Sequence, residues 1–418
     1  MKRLRLYIAI MLITATAAGA AGCSATAQAR DLMDGVSSNR VDGKRADPAF
    51  IGSMADFSIE LFKMSIANDE NSLISPLSVT LALAMTANGA DNETLAQMER
   101  LLGGGIPLDE LNEYLYIYAG GLPSTTRSKL NIANSIWFRD DGGNLSVEES
   151  FLQRNADYYG AAAYKAAFDS QTLSDINNWV KTNTDGMIDK ILEEVSADHI
   201  MYLINTVMFD AEWERAYSKE SVMIGDFTDI TGAVRSVEFM HSTESRYLDD
   251  GMATGFIKPY ANDGYSFAAL LPNEGVPIGA YIESLTGEGF LNTLQNAQHA
   301  TVYASTPKFE YEYEIRMNDA LISLGIPDAF DWEKADFSKM AVVPGYNIWI
   351  EFVQHKTFIS VDELGTKGGA ATLVVIPSGG GMPPTDTKTV RLDRPFVYAI
   401  IDNATNLPIF IGTLMTRG

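Results

Sequence analysis

Four histidines, at positions 199, 241, 299 and 355, and one cysteine, at position 23, are the residues from which nucleophilic or metal chemistry would have to be built. A Ser-His-Asp triad needs one such histidine held beside a serine by a third group. No recognisable sequence context supplies one, and no GxSxG elbow, HExxH, Walker A or GxGxxG pattern occurs. A triad is a matter of geometry, so spacing alone leaves the question open. A single cysteine forms no internal disulfide and excludes Cys-rich zinc sites and CxxC redox chemistry. Glu193-Glu194 and Asp249-Asp250 are adjacent carboxylates in a chain with 54 Asp and Glu against 31 Lys and Arg, and read as solvated surface. The formal charge of −23, with no cluster of basic residues, argues against a nucleic-acid partner. No metal or cofactor is expected.

The unusual segment is a loop. Residues 363–389 read ELGTKGGAATLVVIPSGGGMPPTDTKT, between apolar runs that look like strands. Loops of this length are uncommon in compact domains and are usually functional or disordered. Read as a strand, its first half places Thr366, Gly368, Ala370, Thr372, Val374 and Ile376 on one face and Lys367, Gly369, Ala371, Leu373 and Val375 on the other. The first face begins small, ends bulky and carries no charge, so it can enter a sheet without burying an ion. The first proline comes only at Pro377, so every earlier residue can donate to a ladder. Two readings stand: a latent strand held outside as a loop, or a plain flexible surface loop.

The flanking elements follow from periodicity. Met54, Phe57, Leu61 and Met64 share one face of a helix over 48–68. Ser75 as N-cap and Pro76 at the first helical position open a second helix, whose body, 77–87, is apolar nearly all round and is expected to be buried. A third helix over 91–102 turns Leu95, Met98 and Leu102 inward and stops at Gly103. Segments 130–139 and 201–209 read as strands, and the second is apolar at both parities, as in a strand covered on both faces. Ile176, Trp179 and Val180, then Met187, Ile188 and Ile191, suggest one or two helices between them. Beyond residue 227, strands are expected at 234–240, 265–271, 301–309, 346–361, 396–401 and 408–414. Helices first and strands later argue an α+β fold. Length alone suggests about three domains at ~150 residues each, but no repeat or internal linker appears, so one large domain over 48–418 is expected.

The N-terminus reads as an address. MKRLR precedes an apolar run over 6–21, short of the ~20 residues of a membrane span. It ends at Ala20-Ala21-Gly22-Cys23, which resembles the lipobox of bacterial lipoproteins, with Ala20 where Leu is usual. Residues 1–23 then form an export signal, with Cys23 acylated as a lipid anchor; the alternative is ordinary cleavage and release, with Cys23 incidental. Residues 24–47, small and polar, read as a flexible tether. An exported protein is expected, at the surface of a bacterial cell or outside it.

Residues 71–98 read NSLISPLSVTLALAMTANGADNETLAQM. With 130–138, 179–188, 205–213, 307–309, 324–330, 335–338, 355–372, 393–396 and 409–412, this stretch resembles the serpin family, and the resemblance runs essentially from residue 48 to 418. It implies the serpin fold, with large mixed and antiparallel sheets, a helix-rich N-terminal half and an exposed reactive-centre loop. It implies a suicide inhibitor, not an enzyme. A serine or cysteine protease cuts the loop, is held as an acyl-enzyme, and is trapped as the loop inserts into the main sheet. By the same resemblance Glu363, Gly365 and Thr366 form the hinge, followed by the short-residue stretch Gly368, Gly369, Ala370, Ala371 and Thr372. Gly368-Gly369 stands where Ala is usual; glycine loses more entropy on ordering, so slower inhibition is expected. Ser75, Ser78, Asn205 and His355 match the shutter, though each read alone is a satisfied core residue. Trp213, Lys308 and Glu363 match the breach, where a Lys308–Glu363 ion pair is expected; separate surface charges are the alternative. Counting from Glu363 places the scissile bond after Gly379, with Ile376, Ser378 and Met382 as alternatives because the loop is long. No Arg or Lys lies between Thr372 and Asp386, which favours an elastase-like target. A monomer is expected. A non-inhibitory binding module on the same fold is the alternative.

Overall fold

The computed structural model describes residues 29–67, 69–140, 142, 145–196, 198–351, 353–366 and 386–416. The first part of the chain forms β1 (Arg30–Asp31), α1 (Pro48–Ser65), β2 (Ser72–Ile74), α2 (Pro76–Ala87), α3 (Asn92–Gly103) and α4 (Leu108–Gly121). Then come β3 (Ser128–Arg139), β4 (Ser146–Val147), α5 (Glu149–Tyr159), β5 (Ala162–Ala166), α6 (Ser170–Asn183) and β6 (Met201–Glu212). The second half is strand-rich: β7 (Val222–Thr228), β8 (Val234–Asp249), β9 (Ala253–Pro259), β10 (Tyr265–Pro272), α7 (Ile278–Ser284), α8 (Gly287–Gln295), β11 (Gln298–Pro307), β12 (Phe309–Arg316) and α9 (Asn318–Ser323). It ends with β13 (Ala341–Val342), β14 (Val353–Val361), β15 (Gly365–Thr366), β16 (Thr387–Arg391), β17 (Phe396–Asp402) and β18 (Pro408–Leu414).

The fold is α+β with mixed sheets. A seven-stranded sheet runs β1-β5-β3-β6-β15-β14-β12, and a nine-stranded one runs β16-β11-β8-β9-β10-β17-β18-β2 with β7 on β8. The chain crosses from one sheet to the other at Lys308, between β11 and β12, so the strand expected over 301–309 is two strands meeting at a corner. The segment expected over 234–240 continues as one strand to Asp249.

Local chemistry explains the helices. The Asp47 carboxylate accepts from the Ala49 and Phe50 amides and caps α1, with Pro48 at its first position. Ser75 caps α2 by accepting from the Ser78 amide, and every residue of that helix is buried. The α1 face is centred between Met54 and Phe62, so Met64 falls past its edge and is 49% exposed. Helix α3 ends one residue later than expected, because Gly104, not Gly103, takes the left-handed turn (φ 59°). Leu95 is only half-buried; Thr94, Gln97, Met98 and Leu102 face inward.

Residues 187–191 are not helical. Positive φ at Asp185 (48°) and Gly186 (80°) ends the helical path, and the Asn177 amide oxygen takes the Ile191 and Leu192 N–H groups instead. Ile188 and Ile191 are still buried, in a cluster with Trp137, Ile176, Val180 and Tyr202. Over 346–361 only β14 is a strand; a left-handed turn at Gly345 and a bond from the Ile350 amide to the Ala329 carbonyl hold the earlier residues aside. The expectation of a free tether fails from Arg30 on. Arg30 and Asp31 pair with Lys165 and Tyr164 on β5, the Asn39 amide donates to Asp157 at 2.6 Å, and Lys44 pairs with Glu110. Among the described residues no helix is long and apolar enough to cross a membrane.

Candidate functional site

The site is built on β6 and β14. At one end these strands pair directly and in parallel, from Leu203 opposite Val353 to Asn205 opposite His355. At the other end β15 stands between them, antiparallel to both: Thr366 lies opposite Ala211 on one side and Val361 on the other. The sheet is thus closed at one end and parted at the other. Gly365 is demanded by the fit, because a Cβ there would come 2.0 Å from the Ala211 carbonyl oxygen. Thr366 is 2% exposed, with its hydroxyl 2.5 Å from that of Tyr260.

The backbone leading into β15 is latched. The Trp213 amide donates to the Leu364 carbonyl and the Tyr217 amide to the Glu363 carbonyl, each at 2.9 Å. The Trp213 indole donates to the Asp362 carbonyl at 2.8 Å. The Asp362 carboxylate accepts from the Leu364 and Gly365 amides, at 2.8 and 3.1 Å, and shapes the turn. Trp213 is in turn stacked on Tyr260, 4.5 Å between centroids and 9° between planes. Lys308 pairs with Glu363 and also reaches Glu238 at 3.1 Å. Burial is the largest single influence and works to raise the Glu363 pKa, but the bond from Lys308, a backbone hydrogen bond and the Lys308 charge together outweigh it and hold the carboxyl below its ordinary value.

At the closed end a buried polar cluster ties both strands to the start of α2. His355 Nε2 accepts the Ser75 N–H at 3.1 Å, which fixes β14. Ser78 Oγ donates to Asn205 Oδ1, while Asn205 Nδ2 donates to the Ser78 carbonyl at 2.8 Å and to Asn134, which fixes β6. Ser75, Ser78, Asn205 and His355 are each at most 1% exposed. Desolvation pushes the His355 imidazole down to about 4, so it is neutral at pH 7. Each strand is thus tied through a side chain of its own to the start of α2.

Ser75, Ser78, Asn205 and His355 are therefore brought together, as are Trp213, Lys308, Glu363, Gly365 and Thr366. Gly368, Gly369, Ala370, Ala371, Thr372, Ile376, Ser378, Gly379, Met382 and Cys23 lie outside the described residues. Sequence reasoning missed Asn134, Glu238 and Tyr260, which strand pairing brings to the site, and Tyr217, which reaches it from the loop after β6; none carries a local motif. His355 faces the backbone of Ser75, not its hydroxyl. His241 approaches the Ser305 hydroxyl at 2.8 Å, but burial and the nearby Arg391 lower its pKa, the opposite of what an orienting carboxylate would do. Among the described residues no group of His, Cys, Asp and Glu could hold a metal ion.

A family model described as serpin (serine protease inhibitor) matches residues 52–416. The crystal structure of a thermophilic serpin, tengpin, in the native state is similar with a TM-score of 0.89 at 56% identity, covering 94% of this chain and 100% of that one. The same protein in the latent state matches with a TM-score of 0.81 at 56% identity, over 90% of this chain and 100% of that one. An uncharacterized serpin-like protein of Thermococcus kodakarensis is 29% identical over 377 residues, 87% of this chain and 85% of its own. A sheet parted at one end around the start of its own loop, matched by that family from α1 to past β18, identifies the chain as a member of the serpin family of serine protease inhibitors, which are inhibitors and not enzymes.

Proposed function

We propose that this chain traps an elastase-like serine protease, or a cysteine protease of similar preference, by offering the loop as a substrate and then inserting it between β6 and β14. The observation that carries the reading is β15, already seated between those strands at Ala211 and Val361. If that antiparallel register continues, each further loop residue pairs one position lower on β6, so Thr372 falls opposite Asn205 and Ile376 opposite Met201. Thr366 faces the core, and alternation puts Gly368, Ala370, Thr372, Val374 and Ile376 on the same side. None of these is charged, so none has to leave an ion in the interior.

Insertion has to break the direct pairing of residues 203–205 with 353–355. The new ladder replaces those bonds with bonds to both neighbours; Asn205 can keep its bonds to Ser78 on α2, while the His355–Ser75 bond that ties β14 to α2 has to give as β14 moves. Cleavage frees the loop from β16, which pairs with β11 in the other sheet and otherwise holds the far end. The native form is then a kinetic trap above a more stable inserted state. We further place the protein outside the cell, held to a bacterial membrane by lipid on Cys23, and monomeric. Mass spectrometry of the N-terminal peptide tests the acylation.

The decisive experiment incubates the protein with an elastase-type protease. A complex that survives denaturant, with a released C-terminal fragment beginning after one of Ile376, Ser378, Gly379 or Met382, supports the reading. Clean loop cleavage with no complex makes the chain a non-inhibitory binding module.

A further inference from the structure

Lys258 places a charge in a sheet core. It lies on β9 between Ile257 and Pro259, opposite Phe267 of β10, and is 3% exposed. Its ammonium donates to the Arg215 carbonyl at 3.2 Å and stands 5.3 Å from the Trp213 ring and 4.3 Å from the Tyr217 ring. Glu244 of β8 balances the charge at 3.0 Å, with its side chain only 9% exposed. The Ser242 hydroxyl, 2.6 Å away, orients that carboxylate. An ion pair this deep forfeits the hydration of both ions, and well-packed apolar residues of the same volume are often as stable or more so. Stability is therefore a weak reason for the pair. Position is a stronger one, because among the described residues the ammonium's hydrogen-bond and ring partners other than Glu244 are Trp213, Arg215 and Tyr217, in the segment whose amides and indole hold Asp362, Glu363 and Leu364.

We infer that the buried Lys258–Glu244 pair positions the Trp213–Tyr217 platform on which the start of the loop is latched. A cation faced by two rings and one carbonyl fixes all three relative to one another. An aliphatic side chain fills the volume but lets the rings slide separately. During insertion the platform has to hold one wall of the slot still while β14 moves away from it, and the pair supplies that rigidity from behind the sheet. The inference rests on the insertion reading above and adds two residues that act through Trp213 and Tyr217.

The test removes both charges at constant volume, with Lys258→Met and Glu244→Gln together in the full chain, and compares Lys258→Arg. Hydrogen exchange of the Trp213 and Tyr217 amides reads the latch directly, whether or not any protease is trapped. The number of inhibitor molecules consumed per elastase inactivated reads insertion. In the double variant those two amides exchange at least about tenfold faster while the Phe267 and Ala269 amides of β10 keep their rates. The consumption at least about doubles, and Lys258→Arg, which keeps a cation between the rings, restores both readings. Unchanged exchange at Trp213 and Tyr217, or an equal acceleration in β10, overturns the inference and leaves the pair a packing feature. If the double variant fails to fold, Ser242→Ala, which only frees Glu244, has to give a smaller acceleration confined to the same two amides, and none there overturns it. Absence of any trapped protease with the exchange pattern intact counts against the insertion reading and not against the latch.

Discussion

Acid should loosen the closed end of the sheet through one imidazole. His355 is 1% exposed, its Nε2 holds the Ser75 amide, and its Nδ1 has no hydrogen-bond partner among the described residues. Burial takes its pKa from 6.5 to about 4 in the native protein. Between those values the unfolded chain binds more protons than the native one, so native stability is fully present above pH 6.5 and is lost as pH falls toward 4. At ~1.4 kcal/mol per pKa unit, the loss is about 2 kcal/mol by pH 5 and about 3 kcal/mol by pH 4. Once protonated, Nε2 can no longer accept from Ser75, so the link between β14 and α2 opens as well. The assay is the urea midpoint of the intact protein at pH 7.5, 5 and 4, beside His355→Gln, whose amide oxygen can still accept from Ser75. Carboxylates titrate in both proteins, so the difference between them isolates the imidazole. Wild type should lose about 3 kcal/mol more than the variant between pH 7.5 and 4. Parallel losses would refute the reasoning.

Gly365→Ala should destabilise the native form by about 1–3 kcal/mol in thermal unfolding, because the new Cβ meets the Ala211 backbone and not a movable side chain. Glu363→Gln should cost under about 1 kcal/mol, as expected for a partly exposed pair. Lys308→Met should cost more, since Glu238 also loses its partner, and urea midpoints of the two variants decide the order. Thr366→Arg forces a cation into a position that is 2% exposed beside Tyr260, so the loop should be cut by an elastase-type protease without forming a complex on a denaturing gel.

What could be read from sequence was whatever a short window encodes. Ser75-Pro76 before an all-round apolar run announces a capped, buried helix, and α2 is one. The double-parity apolar run at 201–209 announces a strand covered on both faces, and β6 is that strand. The loop stood out because its length and its uncharged face are both local properties. Residues 187–191 misled because helical spacing also arises when an irregular segment drops two isoleucines onto a helix already present. The Lys308–Glu363 pair was reachable by resemblance, but Glu238 was not, because it arrives through the pairing of β8 with β11. Lys258 and Glu244 likewise meet only once β8 and β9 fold back on each other. A lone lysine in an apolar strand run was the one signal the sequence offered for that pair.

The central claim is that the loop has a more stable place inside the sheet than outside it. Thermal unfolding of the intact protein beside a form nicked once within residues 376–382 tests this most directly. About ten further residues gaining ladder bonds at ~1 kcal/mol each should raise the midpoint of the nicked form by at least about 10 °C. Equal midpoints for the two forms would contradict the account.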